Sequence, residues 1–380
     1  MEVLYSCCCG IDVHAKMLVA CVIKGGRREV RTFTTMTDDL LRLRDWLVAE
    51  GCRHAAIEST GVYWKPVFNI LEGAVEVILT NARDAKGYKA RKTDVIDAEW
   101  LADLLRHGLL KASFIPPLMI RELRELTRYR DGLIRERAQV ANRVQKLCEG
   151  ANIKLGQVAS DALGLSGRLM LRALAEGETD AEQMSELARG RLKGKKAELE
   201  RALTGRLTAA QRWVLGELLD EYERAEQAVT RVERRIRQEV EEAADPFVAE
   251  AVRLLDTIPG INETAAWVIV AEIGVEMGQF PTAGHLASWA GMCPGNNESA
   301  GKRKSGKTTK GSVYLRKALV AVGHSLLVIA YYVLKSKASY AELGGDYFDR
   351  RHEAQRKLRL IRQLEAMNLK VTVEALPAAA

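Results

Sequence analysis

The chain has 380 residues, room for two or three domains with sizeable cores, which excludes a single small module. With 47% hydrophobic and 28% charged residues, 30 Gly and 8 Pro, it is neither a disordered nor a collagen-like chain. Lys and Arg outnumber Asp and Glu, 57 against 50, giving a net charge of +7 that suits an anionic partner, while 6% aromatic residues argue against extensive base stacking.

Seven cysteines are present: Cys7, Cys8 and Cys9 are consecutive, and Cys21, Cys52, Cys148 and Cys293 are scattered. This is not the paired spacing of a zinc site, and reduced, mostly buried thiols of a cytoplasmic protein are expected. Met1 to Ile11 contains Glu2 and no basic stretch, so no signal peptide is expected. The longest uncharged run, Ala318 to Leu334, has 17 residues and includes Gly323, His324 and Ser325. Its length predicts a buried helix and no membrane partner.

Alternating and β-branched runs predict strands at Val3 to Val13, Met17 to Lys24 and Glu29 to Thr34, with a turn at Gly25-Gly26. A helix over Asp38 to Glu50 carries Leu40, Leu41, Leu43 and Leu47. A strand at Ala55 to Glu58, a helix at Val62 to Glu72 and a strand at Val75 to Thr80 follow. Lys92 to His107 closes the series as a helix with Ile96, Trp100, Leu101, Leu104 and Leu105 on its apolar face. The order βββαβαβα implies an α/β sheet domain over residues 1–117, ending near Pro116-Pro117.

Residues 118–245 read as helical. Leu123, Leu126, Leu133, Val140, Val144 and Leu147 share one face, and Arg121, Arg124, Arg128, Arg135, Arg143 and Lys146 crowd the others, either as a solvated face or as a polyanion surface. Leu218, Tyr222, Ala225, Val229, Val232 and Ile236 recur at spacings of four and three, a coiled-coil seam for pairing within the chain or between protomers. Pro246 opens a third region, 246–345, followed by a tail, 346–380. In it Leu254 to Asn262 joins two helical patterns through Pro259-Gly260. The join is either an ordinary corner between helices or a helix-hairpin-helix whose turn amides, at Gly260, hold a phosphate. Gly291 to Gly311 is too rich in Gly, Ser, Thr and Asn for a helix and reads as a loop suited to phosphates: from Ser299 to Ala341 there are nine basic residues and no acidic one.

Two groups of residues could carry chemistry. Asp12 lies in the first strand, Glu58 ends the fourth, and Asp94 and Asp97 share a helix face at i and i+3. Acids on two strands and a following helix suit a ribonuclease-H-like nuclease, where two Mg²⁺ ions about 4 Å apart are bridged by oxygens from different elements. The competing reading makes Asp12 and Glu58 surface acids at strand ends and Asp94 a helix cap. The second group is Ser299, Ser305, Thr308 and Thr309 among Lys302, Arg303, Lys304, Lys307 and Lys310. A hydroxyl there is either a nucleophile beside cations that neutralise a phosphate or only a hydrogen-bond donor.

Taken together, Gly-Ile-Asp12-Val-His, Ile-Glu58-Ser-Thr-Gly-Val-Tyr-Trp, Lys-Thr-Asp94-Val-Ile-Asp97-Ala-Glu-Trp-Leu-Ala and Ala-Ser-Trp-Ala-Gly-Met-Cys-Pro-Gly-Asn-Asn-Glu-Ser299-Ala-Gly-Lys resemble one family. It is that of the DEDD transposases of bacterial insertion sequences, the bridge-RNA-guided recombinases of the IS-one-ten family with its IS-eleven-eleven branch. The resemblance implies a RuvC-like domain, a helical and coiled-coil middle, and a helical C-terminal domain bearing a catalytic serine at Ser299. It implies Asp12, Glu58, Asp94 and Asp97 as Mg²⁺ ligands and Lys302, Arg303, Lys304, Lys307, Lys310, Arg316 and Gly260 as nucleic-acid contacts. Implied partners are DNA, an element-encoded guide RNA, and further copies of the chain as dimer and tetramer.

One departure stands out. Gly311 to Arg316 runs within a few residues into Val320-Ala-Val-Gly-His324, where the family pattern carries a helical segment between them. A chain shortened after Arg316 predicts one continuous helix from Tyr314 to Leu334 and leaves open an impaired, merely nucleic-acid-binding protein. The enzymatic alternative is a Holliday-junction resolvase, which uses the same carboxylates with water as nucleophile.

Overall fold

The computed structural model describes residues 2–59, 61–81, 94–293, 297–299, 302–305, 308, 311–319 and 323–341; at 297–299, 302–305 and 324 the description is of the backbone. The chain divides into two compact units, Met1–Pro117 and Leu118–Ala380.

The first unit is built from β1 (Cys7–Val13), β2 (Met17–Lys24), β3 (Arg27–Thr34), α1 (Thr37–Ala49), β4 (His54–Glu58), α2 (Trp64–Leu71), β5 (Glu76–Thr80) and α3 (Asp94–Arg106). The strands form a five-stranded sheet in the order β3-β2-β1-β4-β5. β1, β2 and β3 pair antiparallel, while β4 runs parallel to both β1 and β5. This mixed sheet with helices fits a ribonuclease-H-like domain. Gly25 and Gly26, at φ 56° and 86°, supply the two positive dihedrals that a two-residue hairpin turn demands. β1 and β2 read as nearly unbroken apolar runs because both faces of the sheet are covered. On one face Ile11, Leu18 and Ile57 pack with Leu40, Leu43 and Leu47 of α1 and Val67 and Leu71 of α2. On the other, Cys8, Cys21, Ile23 and Ala56 pack with Ala98, Ala102 and Leu105 of α3. Burial pushes the Cys8 and Cys52 thiols up to about 12, which makes them poor nucleophiles.

The first strand begins at Cys7, four residues later than its apolar pattern suggests. The amides of Leu4 and Tyr5 both donate to the carbonyl of Arg106 at 2.9 and 3.1 Å, so this segment closes the C-terminal end of α3 instead of extending β1.

The second unit contains α4 (Leu118–Gly150), α5 (Leu155–Val158), α6 (Leu165–Glu176), α7 (Ala181–Glu186), α8 (Lys196–Leu203), α9 (Ala209–Glu241), α10 (Phe247–Asp256), α11 (Glu263–Ile273), α12 (Ala283–Trp289), β6 (Asn297–Ser299), β7 (Lys302–Ser305), α13 (Val313–Ala318) and α14 (Gly323–Ser336). α4 and α9 have 33 residues each, about 50 Å at 1.5 Å per residue. They run antiparallel: Arg130 pairs with Glu233 and Arg143 with Glu221, so one index rises as the other falls. The seam residues Leu218, Val229, Val232 and Ile236 are buried, facing a helix of their own chain. Helices α5 to α8 cap the pair around Val144, Cys148, Leu215 and Leu219.

The remaining helices surround Leu255, Trp267, Val270, Leu286, Leu327 and Tyr331. Here the expectation of one helix from Tyr314 to Leu334 fails. α13 ends at Leu319, whose φ −112° and ψ 61° are not helical, and α14 starts afresh at Gly323; residues 320–322 lie outside the described residues. α13 packs on α11 while α14 packs on α10 and α12. The break lets each of the two helices settle against its own neighbours. Among the described residues no helix is long and apolar enough to cross a membrane.

Candidate active site

The pleat of β1 and β4 decides where the first two carboxylates point. Gly10 pairs with Ala56 and Ile11 with Ile57 in parallel register. Side chains alternate faces along a strand, so Asp12 and Glu58, one pair further on and two residues beyond Gly10 and Ala56, share the face that α3 covers. The buried residues of α3 form two stripes at a spacing of four, Ala98-Ala102 and Leu101-Leu105. Continued back one turn, the stripes end in Asp94 and Asp97. The helix that packs on the sheet therefore delivers two acids from its first turn to the strand ends.

Gly10 sets how closely α3 approaches. A Cβ there would stand 2.2 Å from the Ala98 carbonyl oxygen and 2.3 Å from the Ala102 nitrogen, so only glycine lets the helix backbone rest directly on β1. At this closeness His14 Nε2 lies 3.2 Å from Asp12 Oδ2 and 3.3 Å from Asp94 Oδ1. Ligand atoms of Asp12, His14 and Asp94 all fall within 4.8 Å of one another. Burial, with Asp97 and Asp94 adding to it and His14 opposing, raises the Asp12 carboxyl above its ordinary value. A half-buried carboxylate with a second one close by, and mainly carboxylate oxygen donors, fits a hard divalent cation. His14 was not among the acidic positions, although its place two residues after Asp12 puts it on the same face of an extended chain.

Ser299 belongs to the second unit. The segment expected as a loop contains a β-hairpin: Ser299 pairs with Lys302, Glu298 with Arg303 and Asn297 with Ser305, with an irregularity at Asn297/Glu298. Ala300-Gly301 connects the strands in sequence, and cross-strand pairing gives the backbone groups partners that composition alone does not reveal. Lys302, Arg303 and Lys304 are thus strand residues; Lys307 and Lys310 lie outside the described residues. Arg316 is exposed on α13. Gly260, at φ 91°, turns α10 into α11 with open space beside it, and Asn262 caps α11 by accepting from the Ala265 amide.

Residues 9–153, which include all four acids, match a family model described as Transposase, of the DEDD, IS110 type. Residues 252–337, which include Ser299 and run from within α10 through α14, match a second, described as Transposase IS116/IS110/IS902 family. The chain belongs to the IS110 family of transposases. No curated protein matches it. As an IS110-family transposase it is a DNA-cutting recombinase, and its first matched region is the one whose acids α3 assembles. In this transposase the arginines of α4 divide: Arg124 and Arg128 engage α11, while Arg135 and Arg143 are exposed. Arg124 donates to the carbonyls of Ala271 and Glu272, Arg128 grips the Glu272 carboxylate, Arg135 pairs with Asp131, and Arg143 pairs with Glu221.

Proposed function

We propose that this transposase cuts and rejoins DNA in the cytoplasm to move an insertion element, using Asp12, Glu58, Asp94 and Asp97 to hold Mg²⁺ and Ser299 as nucleophile. The observation that carries the reading is the meeting of Asp12 and Asp94 around His14, in a chain whose second matched region contains Ser299. Bound there, Mg²⁺ would stabilise charge on the phosphate and lower the effective pKa of an attacking hydroxyl. Ser299 Oγ attacks phosphorus; the Oγ–P bond forms as a P–O bond to deoxyribose breaks, and the hydroxyl proton ends on the departing oxygen. Lys302, Arg303 and Lys304, beside Ser299 in the hairpin, offset the charge that grows on the phosphate. The Gly260 turn, as a helix-hairpin-helix, together with Lys307, Lys310 and Arg316, binds the nucleic-acid backbone.

The same reading has target and donor sites chosen by pairing to an element-encoded RNA, with dimers pairing into tetramers that bring the carboxylates of one protomer to the serine of another. Denaturant added during reaction with element-end DNA and Mg²⁺ traps a DNA-linked protein whose modified peptide contains Ser299, and Ser299→Ala gives none. Strand cleavage without any covalent link would instead favour the resolvase chemistry with water.

A further inference from the structure

The stretch that carries Ser299 runs between Ala290-Gly291 and Gly311-Ser312, and these two points touch. A Cβ on Gly311 would stand 2.0 Å from both the carbonyl carbon and oxygen of Ala290 and 2.4 Å from the Gly291 nitrogen. The returning backbone thus lies directly on the departing one, at a closeness that only glycine permits.

The next residue is tied more deeply. Ser312 Oγ donates to Glu272 Oε2 at 3.0 Å and accepts from the Leu315 amide at 3.2 Å, using its one proton and one of its lone pairs. Glu272 lies on α11 and is 2% exposed. Its carboxylate is gripped on both oxygens by Arg128 of α4, at 2.8 and 3.0 Å, and the Arg128 guanidinium lies 4.7 Å over the Tyr314 ring. Arg124 closes the same corner by donating to the Ala271 and Glu272 carbonyls at 2.8 Å each. Simple stability does not call for this arrangement, since a buried ion pair is often no better than apolar packing of the same volume. Its distinctive consequence is to place the residue after Gly311 at one fixed point between α4 and α11.

We propose that Gly311, Ser312 and Glu272 form a clamp that fixes the base of the β6–β7 hairpin and so sets the position from which Ser299 is presented to DNA. They are positioning residues, and the inference rests on the reading of Ser299 as nucleophile. A misplacement of about 1 Å at a reacting group can cost about a hundredfold in rate. The clamp is therefore expected to control the chemical step and not the affinity for DNA.

The variants separate positioning from the capping of α13. Ser312→Thr keeps both the donor and the acceptor, whereas Ser312→Asp keeps the cap acceptor, loses the donor and sets a second carboxylate against Glu272. Ser312→Ala and Gly311→Ala serve as further variants, and the melting temperature of each is measured to confirm folding. Two readouts are taken on the full chain: the rate of Ser299–DNA adduct formation beside the Kd for the same DNA, and hydrogen exchange of peptides covering 297–305. The expected result is near-normal behaviour for Ser312→Thr. Ser312→Asp and Gly311→Ala form adduct about a hundredfold more slowly at unchanged Kd, with faster exchange in the hairpin and unchanged exchange in α10 and α11. Unchanged hairpin exchange and a normal adduct rate in Ser312→Asp overturn the clamp. Absence of a Ser299 adduct in the unaltered protein, with exchange still sensitive to Ser312→Asp, overturns the role of Ser299 while leaving the clamp.

Discussion

Gly10 of β1 and Ala98 of α3 touch backbone to backbone: a Cβ on Gly10 would stand 2.2 Å from the Ala98 carbonyl oxygen. This contact lets the first turn of α3 carry Asp94 to within reach of His14 and Asp12.

Gly10→Val is therefore expected to push α3 off the sheet. Overpacking of this kind costs about 1–3 kcal/mol, read as a lower urea midpoint. The more specific consequence is weaker divalent-cation binding, measured by calorimetry, without substitution of any acid. Cation affinity equal to that of the unaltered chain would mean that the acids gather independently of the helix seat.

Asp12→Ala, Glu58→Ala, Asp94→Ala and Asp97→Ala are each expected to abolish strand transfer, as chelation of divalent ions should in the unaltered chain, because in the proposed function each acid supplies an oxygen that sets an ion's position. DNA affinity measured without added metal should survive in all four. A variant that keeps normal recombination in Mg²⁺ removes its residue from the set.

The raised Asp12 carboxyl has a pH signature. A carboxyl whose folded pKa lies above its unfolded value contributes stability that is fully present below the unfolded pKa, about 3.9, and is lost as pH rises through the folded one. In metal-free protein at neutral pH, Asp12→Asn should thus melt above the unaltered chain, and the gap should narrow as pH falls through the carboxylate range. Added divalent cation should raise the melting temperature of the unaltered chain and leave Asp12→Asn nearly unmoved. Thermal melts from pH 3 to 7, with and without metal, read both effects.

Ile236 is fully buried in the α4–α9 pairing. Ile236→Ala should cost about 2–5 kcal/mol in the unfolding of the second unit while leaving the oligomeric state unchanged, because the seam is closed within one chain. Loss of an oligomer in sedimentation at unchanged stability would instead assign the seam to a contact between chains.

Much of the first unit is legible from residue order. Apolar runs bounded by turns locate β2, β4 and β5, Gly25-Gly26 marks the hairpin, and the spacing of Asp94 and Asp97 puts two acids on the face that carries Ala98 and Leu101. Periodicity works there because a side chain's face follows from its index once the element type is known. It does not name the partner. Leu315, Leu319, Val322, Leu326 and Ile329 keep one helical spacing, yet Leu319 departs from helical dihedrals, and α13 and α14 pack on different helices. The arginines of α4 have one composition whether they face water, an anion or another helix, and only the packing of α11 directs Arg124 and Arg128 inward to Glu272. Strand pairing at Ser299 was hidden among Gly, Ser and Lys because backbone hydrogen bonding, not side-chain pattern, defines that hairpin. Residue order alone thus determined on which faces the candidate acids of the first unit lie. The tertiary structure alone decided what each face meets, since contacts between residues far apart in the chain depend on the packing of whole elements.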